Sequence, residues 1–410
     1  MNAELVREVL RYPGRSTRAI VDLDAITTNL RTLRGATGSG VGLMAIVKAN
    51  AYGHGAIPVA TSALAAGAEH LAVATVDEAI QLRMASIQAP ILILGPMDYS
   101  EIDLAIGHSI ELSIGSLDFA RAVGRAAEQF EVTSPVRIHV KLDTGMHRFG
   151  SYFEEALAIA QFVEGHPLLR LRGVFTHFAQ SDEIDVSPTQ SQADKLASFV
   201  DNLAVLGIRP ELVHQSNSAA VIRSRSFDRS LVRIGIAMYG LNPSSEIHLL
   251  DGMRPAMTII SRVARISELQ TGDAVSYGAT FRANKRTRAA LIPIGYADGY
   301  PRALSNRAKM YVHDVECPVL GRICMDQTII GLPDVLDVNV GDPVMVSGAW
   351  HSEHVMSFDT IAELTGTISY EIATRIAHRV PRFYLRKGNV TSLSDLSGHR
   401  VVSGAFRTNE

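Results

Sequence analysis

Lys48 ends a short apolar run in the segment AIVKANAYGHG (residues 45–55). Met44, Ile46 and Lys48 alternate along the run, so they share one face of a predicted strand. If that face is buried, a charged lysine is unfavourable there unless its amine is paired, deprotonated or covalently linked. An amine that forms a Schiff base meets this condition. The alternative is a lysine at the rim of the core that reaches water, and position alone leaves both open.

Two later segments carry groups that bind phosphate. HQSNS (214–218) offers the hydroxyl of Ser218, with Asn217 as an orienting amide. In VRIGIAMYG (232–240), Gly235 allows close backbone approach, and the amides of Gly235 and Ile236 can donate. A phosphate group needs several such donors. Together with Lys48, these segments favour a functional site over isolated loop residues.

The elements that must position these groups are eight apolar runs separated by amphipathic, helix-like stretches. The runs cover residues 43–48, 71–75, 91–95, 110–114, 136–143, 169–177, 211–215 and 231–237. Apolar strands alternating with helices indicate a parallel sheet covered on both faces. Eight such units predict an α/β fold, a closed (β/α)8 TIM barrel, which binds ligands at the carboxyl ends of its strands. An open doubly wound sheet is the alternative, but no G-x-G-x-x-G opens any unit.

The pattern of alternating strand-like and helix-like segments ends at about residue 252. Short β-type runs separated by Gly, Pro, Asp and Asn predict a mainly-β domain. A helix pair is expected near its end, FDTIAELTG and then SYEIATRIAHRV, with Pro381 ending the second helix. We therefore expect a barrel of residues 15–252, a β-rich domain of residues 253–388 with which residues 1–14 can pack, and a loosely ordered tail of residues 389–410.

Composition argues against several classes of partner. With 39 basic and 42 acidic residues the formal net charge is −3, which gives no reason to expect nucleic acid or an anionic membrane. Cys317 and Cys324 lack the second pair that a zinc site needs, and free thiols suit a reducing cytoplasm. The N-terminal residues lack the apolar core of a signal peptide, and no run approaches ~20 apolar residues. We expect a cytoplasmic protein without a metal site.

Eight segments resemble, in order and with compatible spacing, the successive signatures of bacterial alanine racemases. They are KANAYGHG (48–55), KLDTGMHRFG (141–150), GVFTHFAQSDE (173–183), HQSNSAA (214–220), VRIGIAMYGL (232–241), VSYGATF (275–281), IGYADGYPR (294–302) and GRICMDQ (321–327). The resemblance covers residues 15 to 385. It implies a barrel that binds pyridoxal 5'-phosphate, followed by a β domain, which agrees with the independent interpretation of the strands. The implied activity is interconversion of L-alanine and D-alanine.

The resemblance implies two bases, Lys48 and Tyr277. Lys48 would bind the cofactor covalently and act on one face of the substrate. Tyr277 would act on the other face, and in the family this tyrosine comes from the partner subunit, which implies a homodimer with shared active sites. Racemisation needs a proton removed on one side and delivered on the other, which two flanking bases supply. A tyrosine is a weak base at neutral pH, so we expect cations near Tyr277.

Other cofactor contacts also follow from the resemblance. Arg233 matches the residue that hydrogen-bonds the pyridine nitrogen; because guanidinium keeps its proton, that nitrogen would stay unprotonated and the ring would be a weaker electron sink. His177 matches a histidine stacked on the ring, although a lone histidine is more often an ordinary core residue. The matched phosphate contacts are Tyr52, Ser218, Gly235, Ile236 and Tyr370.

The remaining matches concern the substrate. Arg148 matches a contact to the cofactor's phenolic oxygen and the substrate carboxylate. Lys141 matches a lysine that many family members carbamylate, and the alternative is a surface pair with Asp143. Met325 matches a backbone contact to the substrate carboxylate across the dimer, and Tyr296 a tyrosine that restricts access to small side chains. Supporting roles are expected for Asn217, Cys324 and Asp326.

Three other classes compete with the racemase interpretation. A pyridoxal-phosphate decarboxylase on the same barrel pairs the pyridine nitrogen with an acid, which Arg233 argues against. A non-catalytic cofactor carrier would not need the β domain with Tyr277, and a cofactor-free Schiff-base aldolase would not need the phosphate groups. The sequence leaves open whether serine is accepted beside alanine, and whether the role is D-alanine biosynthesis or catabolism.

Overall fold

Eight parallel strands close into a barrel. The structure is a computed structural model that describes residues 3–348 and 356–402. The barrel strands are β2 (Gly42–Ile46), β3 (His70–Val73), β4 (Ile91–Ile93), β5 (Glu111–Ile114), β6 (Val136–Lys141), β7 (Leu169–Phe175), β8 (Leu212–His214) and β9 (Leu231–Ile234). β9 pairs in parallel with β2, Met44 opposite Arg233, and this closes the barrel. The prediction of a closed barrel is confirmed, and each of the eight apolar runs overlaps one strand.

Helical segments connect the barrel strands. They are α2 (Leu23–Ala36), α3 (Lys48–Tyr52), α4 (Ala56–Ala65), α5 (Val76–Met84), α6 (Ile102–Gly107), α7 (Leu117–Gln129), α8 (Phe153–Gly165), α9 (Ser187–Val205) and α10 (Ser218–Arg223). Polar residues define several starts: Thr75 and Glu78 form a capping box at α5, and the side chain of Ser116 caps α7. These two caps fix where the loops before α5 and α7 end.

The second half of the chain is mainly β, as predicted. Its strands are β10 (Met257–Arg262), β11 (Arg265–Leu269), β12 (Ala274–Val275), β13 (Phe281–Arg282), β14 (Thr287–Ile292), β15 (Lys309–Val312), β16 (Val315–Pro318), β17 (Thr328–Leu332), β18 (Pro343–Gly348), β19 (Arg382–Arg386), β20 (Asn389–Asp395) and β21 (Gly398–Val401). The helices α11 (Phe358–Thr365) and α12 (Ser369–Thr374) lie between β18 and β19. Within the described residues, no helix has the length and apolar character needed to cross a membrane.

The N-terminal segment differs from the predicted boundary at residue 15. The strand β1 (Arg18–Asp22) lies in the large second-domain sheet, whose order is β16-β15-β18-β10-β1-β19-β20-β21. Helix α1 (Ala3–Arg11) packs on this sheet through an apolar cluster that includes Val6, Ile20 and Phe383. Pairing between distant segments decides this placement, so we propose that the barrel unit begins after Asp22.

The tail and the last helix also differ from expectation. Residues 389–402 were expected to be loose, but β20 and β21 extend the large sheet, because Val390 and Leu393 pack on the cluster under α1. Residues 403–410 of the predicted tail, and residues 1 and 2, lie outside the described part of the chain. Helix α12 ends at Thr374, before Pro381, because the buried guanidinium of Arg382 binds the carbonyls of the following turn, at Ile376, Ala377 and Val380.

Candidate active site

A cavity of about 590 Å³ opens at the carboxyl ends of the barrel strands. The predicted site residues that line it are Lys48, Tyr52, Lys141, Arg148, His177, Asn217, Ser218, Arg233, Gly235, Ile236 and Tyr370. They come from segments spread over more than 300 residues of sequence, and most follow the end of a barrel strand. The structure therefore brings these residues together where a barrel binds its ligands.

Lys48 begins a left-handed turn. Strand β2 ends at Ile46, so Lys48 lies just beyond the strand and not on it, which corrects the predicted strand face. Ala49 to Tyr52 all have φ between 51° and 54°. Each such L-residue costs roughly 1–2 kcal/mol. The Glu78 carboxylate accepts from the Ala49 amide at 2.6 Å, and Asn50 Oδ1 accepts from the Ala56 amide at 2.9 Å, which helps to hold the turn.

The side chain of Lys48 is half-buried, and its amine forms no hydrogen bond or ion pair with any residue in the described part of the chain. Burial lowers the pKa of Lys48, and the positive charge of Arg148 lowers it further, while Glu78 opposes the shift. A lowered pKa increases the neutral, nucleophilic fraction at neutral pH. The structure thus favours a reactive amine over a lysine that reaches water.

One end of the cavity is lined with hydroxyl groups. Ser218 Oγ accepts from the Gly235 amide at 2.9 Å, and the rings of Tyr52 and Tyr370 lie 6.0 Å apart. Burial raises the pKa of both tyrosines, so both hydroxyls stay protonated and can donate. A Cβ on Gly235 would lie 2.9 Å from the Tyr52 hydroxyl, so a side chain there would crowd this end. The side chain of Asn217 accepts from Ser181 Oγ and from the Ala220 amide, and so caps the helix α10 that begins at Ser218.

Arg233 is buried and held by several acceptors. Its guanidinium donates to the carbonyls of Thr176 and Gln215 at 2.8 and 2.9 Å, and it contacts Nδ1 of His177 at 3.1 Å. Burial lowers the pKa of Arg233 to about 9, which leaves it protonated at neutral pH. Burial and then Arg233 hold the pKa of His177 well below its ordinary value, so that imidazole is neutral. Arg233 is therefore a rigid cation inside the barrel and not a surface arginine.

Lys141 and Arg148 form the cationic side of the cavity. Lys141 is buried and donates to the Phe149 carbonyl at 2.6 Å. Burial, then the charge of Arg233, lowers the pKa of Lys141 to about 8, with Asp143 opposing. Asp143 instead accepts from the backbone amides of the next loop, beginning with Gly145 at 3.0 Å. A Lys141–Asp143 surface pair is thus not what the structure contains.

Five predicted residues lie outside the cavity, in the second domain. Tyr277, Met325 and Tyr296 are 72%, 53% and 42% exposed, and we call these three side chains the exposed patch. Cys324 and Asp326 flank Met325 in the chain. Large apolar groups exposed together are typical of an interaction surface.

Backbone and side-chain contacts bind the loops of the exposed patch to one another. Ser276 Oγ lies 3.2 Å from Cys324 Sγ, and the Tyr296 amide donates to the Cys324 carbonyl at 3.1 Å. The Ala297 amide donates to the Met325 carbonyl at 3.0 Å. A cation lies beside this loop, because the Arg322 guanidinium carbon lies 3.3 Å from the position of a Cβ built on Gly278, the residue after Tyr277.

Asp326 acts on the same loops through Arg379. The Arg379 guanidinium binds Asp326 at 2.5 Å and the fully buried Asp298 at 2.7 Å, and Asp298 also pairs with Arg15. Asp298 ends the short turn that Tyr296 begins. The ion pairs thus fix the Met325 loop relative to the Tyr296 turn.

Sequence reasoning missed a set of polar residues below the cavity: Glu111, His139 and His214, together with Phe175, whose ring stacks on His214 at 4.7 Å. The available signal was a polar residue within an apolar strand, as in IELSI, VRIHVK and ELVHQ. Among the residues that the structure describes, no three His, Cys, Asp or Glu side chains are arranged to hold a metal ion.

Comparison with known proteins gives matches along nearly the whole chain. Residues 21–243 match the family described as alanine racemase, N-terminal domain, and residues 256–384 match alanine racemase, C-terminal domain. An alanine racemase of Geobacillus kaustophilus is 41% identical over 94% of this chain and 98% of its own length, and one of Halothermothrix orenii is 38% identical over 91% and 98%. The crystal structure of a Bacillus anthracis alanine racemase with bound L-Ala-P is similar with a TM-score of 0.87 and 39% identity, covering 94% of this chain and 98% of that one.

Proposed function

The chain belongs to the alanine racemase family, and on that premise we propose that it interconverts L-alanine and D-alanine with bound pyridoxal phosphate, using Lys48 and Tyr277 as opposed bases in a homodimer. One observation supports this most: the cavity holds a half-buried amine that has no partner among the described residues, close to phosphate-type donors, while the predicted second base lies on a separate exposed patch. We therefore propose that a single chain carries two complementary halves of a site.

The residues of the cavity fit pyridoxal phosphate by their chemistry. The hydroxyls of Tyr52, Ser218 and Tyr370 at one end can donate to a phosphate, and Lys48 can bond to an aldehyde carbon. Arg233 lines the same cavity, and its guanidinium would donate an N–H to the ring nitrogen. When bound, the cofactor withdraws electrons from the substrate and stabilises the charge left when the Cα proton is removed.

The two bases would act from opposite sides. Lys48, with its lowered pKa, can hold or release a proton at Nζ on the barrel side. Tyr277 Oη would do the same from the other side, helped by the nearby Arg322 cation. Because Tyr277 lies on the exposed patch and not on the cavity wall of its own chain, we propose that the partner subunit supplies it. In a twofold dimer each patch covers the other chain's cavity, which gives two identical sites.

The cationic side of the cavity would bind the substrate carboxylate. Arg148 can pair with a carboxylate, and the Met325 amide of the partner subunit would add a hydrogen bond. We propose that Lys141 reacts through its neutral amine with carbon dioxide, giving a carbamate and releasing one proton. The resulting anion would lie between Arg148 and Arg233 and hold both in place. Tyr296 would narrow access, so that alanine is preferred while serine, slightly larger, remains a weaker substrate.

We place this activity in the cytoplasm, in D-alanine biosynthesis. Cys317 and Cys324 are both free thiols, which suits a reducing compartment. Burial raises the pKa of Cys317 to about 11, so that thiol is unreactive at neutral pH and needs no protection by a disulfide.

The proposal is tested by the chemistry of Lys48. The purified protein should show a visible absorption band from bound cofactor, and borohydride reduction should fix the cofactor on the peptide containing Lys48. The purified, unreduced protein should also abolish the optical rotation of an L-alanine solution, because racemisation yields equal amounts of the two enantiomers. Lys48→Ala should abolish covalent attachment and activity, while Lys285→Ala, at an exposed ion pair with Asp334, should leave both unchanged.

Other outcomes would point elsewhere. Release of carbon dioxide from amino acids, with no racemisation, would indicate a decarboxylase. Attachment of the cofactor without turnover of alanine or serine would indicate a carrier. Full activity of Lys48→Ala would refute the assignment of the site.

A further inference from the structure

A chain of hydrogen bonds crosses the barrel interior below the cavity. Arg233 Nη1 lies 3.0 Å from Nδ1 of His214, His214 Nε2 lies 3.0 Å from Nδ1 of His139, and His139 Nε2 lies 3.0 Å from a carboxylate oxygen of Glu111. All four side chains are at most 3% exposed. Glu111 begins β5, near the end of the barrel opposite the cavity, so the chain connects the two ends.

The chemistry of the donors fixes the direction of every bond. A guanidinium can only donate, so His214 Nδ1 must accept and its proton must lie on Nε2. That proton is donated to His139 Nδ1, which places the His139 proton on Nε2 as well. His139 then donates to Glu111, which must be an ionised carboxylate to complete the sequence. Two neutral imidazoles thus join a buried cation to a buried anion.

The fold makes room for this arrangement. A Cβ on Gly173 would lie 2.4 Å from His139 Nδ1, so a side chain at this position of β7 would displace the ring. The register between β6 and β7 shifts between Ile138 and His139. Phe175 stacks on His214 with an interplanar angle of 3°. Each imidazole is therefore held by packing as well as by hydrogen bonds.

The charged groups around Glu111 and around Arg233 agree with a carboxylate at one end of the hydrogen-bond chain and a guanidinium at the other. Around Glu111 lie Arg137 at 3.4 Å and Arg172 at 3.9 Å, with His70 also close. Burial alone would raise the pKa of Glu111, but the His139 hydrogen bond and the charges of His70 and Arg172 lower it overall. Burial and then Arg233 hold the pKa of His214 well below its ordinary value.

The other end of the chain of bonds is surrounded by cations. The charged groups that act on the site around Arg233 and His177 are Lys48, Lys141 and Arg148. No carboxylate bonds to Arg233 among the described residues. Glu111 is thus the anion to which Arg233 is linked by hydrogen bonds, and the link passes through both histidines.

We propose that Glu111, His139 and His214 form a buried relay whose carboxylate end holds Arg233 in a fixed orientation and tunes how strongly Arg233 donates to the cofactor's ring nitrogen. The effect on the cofactor rests on the proposed function, whereas the hydrogen-bond chain from Glu111 to Arg233 does not. Glu111 and His139 are positioning residues, because they act on the site only through His214 and Arg233. With the relay intact, the anion weakens Arg233 as a donor and keeps the ring nitrogen electron-rich.

A spectroscopic titration of the holoenzyme tests the consequence. Glu111→Gln keeps an oxygen that can accept from His139 but removes the charge. Arg233 should then donate more strongly, the ring should draw more electron density from the Lys48 nitrogen, and the pH at which the visible band changes should fall by roughly 0.5 unit or more. Glu316→Gln is the control, because it removes the charge of a carboxylate that pairs with Lys309 in the second domain and has no contact with the relay. An unchanged titration in Glu111→Gln, or equal shifts in both variants, would overturn the proposal.

A second measurement tests the relay without any bound cofactor and without Glu111→Gln. In protein labelled with ¹⁵N-histidine, assigned by single His→Gln replacements, His139 and His214 should both carry a proton on Nε2 and none on Nδ1 at neutral pH. The opposite tautomer, or a doubly protonated ring, would overturn the relay. Absence of any cofactor band in the wild-type protein would instead refute the proposed function, and the histidine spectra would still decide the relay.

Discussion

Gly53 provides a direct test of the left-handed turn that carries Lys48. It has φ 81°, and a Cβ built there lies 2.2 Å from the carbonyl oxygen of Ala373. Gly53→Ala should therefore incur two costs: about 1–2 kcal/mol for an L-residue in the left-handed region, and about 1–3 kcal/mol for moving α12 away from the turn. The expected loss of unfolding free energy is about 2–5 kcal/mol.

Gly40 is the matched control for Gly53. It has φ 78°, but a Cβ there meets nothing within 4 Å. Gly40→Ala should therefore lose only the backbone contribution of about 1–2 kcal/mol. Urea unfolding followed by circular dichroism measures both losses. The reasoning also predicts weaker binding of pyridoxal phosphate in Gly53→Ala, since Lys48 and Tyr52 lie on the displaced turn, and unchanged binding in Gly40→Ala. Equal destabilisation by the two substitutions would refute the claim that Ala373 leaves no room for a side chain at position 53.

Two further predictions concern the bases and the carbamate. Tyr277→Phe should slow proton removal from L-alanine far more than it weakens cofactor binding, measured by racemisation started from each enantiomer; a loss of only twofold in both directions would contradict the two-base assignment. Because the pKa of Lys141 is lowered to about 8, its neutral amine increases as pH rises toward 8, so a carbamate signal in ¹³C spectra under ¹³C-bicarbonate should grow over that range and be absent in Lys141→Ala. A signal that stays constant from pH 6 to pH 8 would contradict the role of the neutral amine.

The barrel could be predicted from sequence because its signals are local. Each strand is a short apolar run, and period-two alternation indicated that Lys48 belongs to a buried face. The same reasoning placed Lys48 on the strand, whereas the strand ends at Ile46 and a left-handed turn follows. Alanine at positions 49 and 51 gives no signal for positive φ, and the hydrogen bond from the Ala49 amide to Glu78, which helps to hold the turn, is formed only in the folded chain.

The misplaced segments depend on long-range pairing. Strand β1 is apolar like its neighbours in the chain, but its partners are β10 and β19, more than 200 residues away. The relay was missed for a related reason: Glu111, His139 and His214 are single polar residues in separate strands, and only closure of the barrel brings them into contact. The roles of Tyr277 and Met325 were predicted only from the family resemblance. Neither the local sequence nor the structure of one subunit indicates them, because both residues lie away from the cavity of their own chain.

The central claim, that each active site combines Lys48 of one chain with Tyr277 of the other, is tested most directly by mixing two inactive variants. Lys48→Ala and Tyr277→Phe chains, co-expressed in equal amounts, form hybrid dimers in half of the random pairings. In a hybrid, one site contains both substitutions and the other contains neither. The account predicts recovery of about one quarter of wild-type racemase activity from the mixture, since each hybrid has one intact site of two. Hybrids as inactive as either parent would mean that both bases come from the same chain, and would contradict the account.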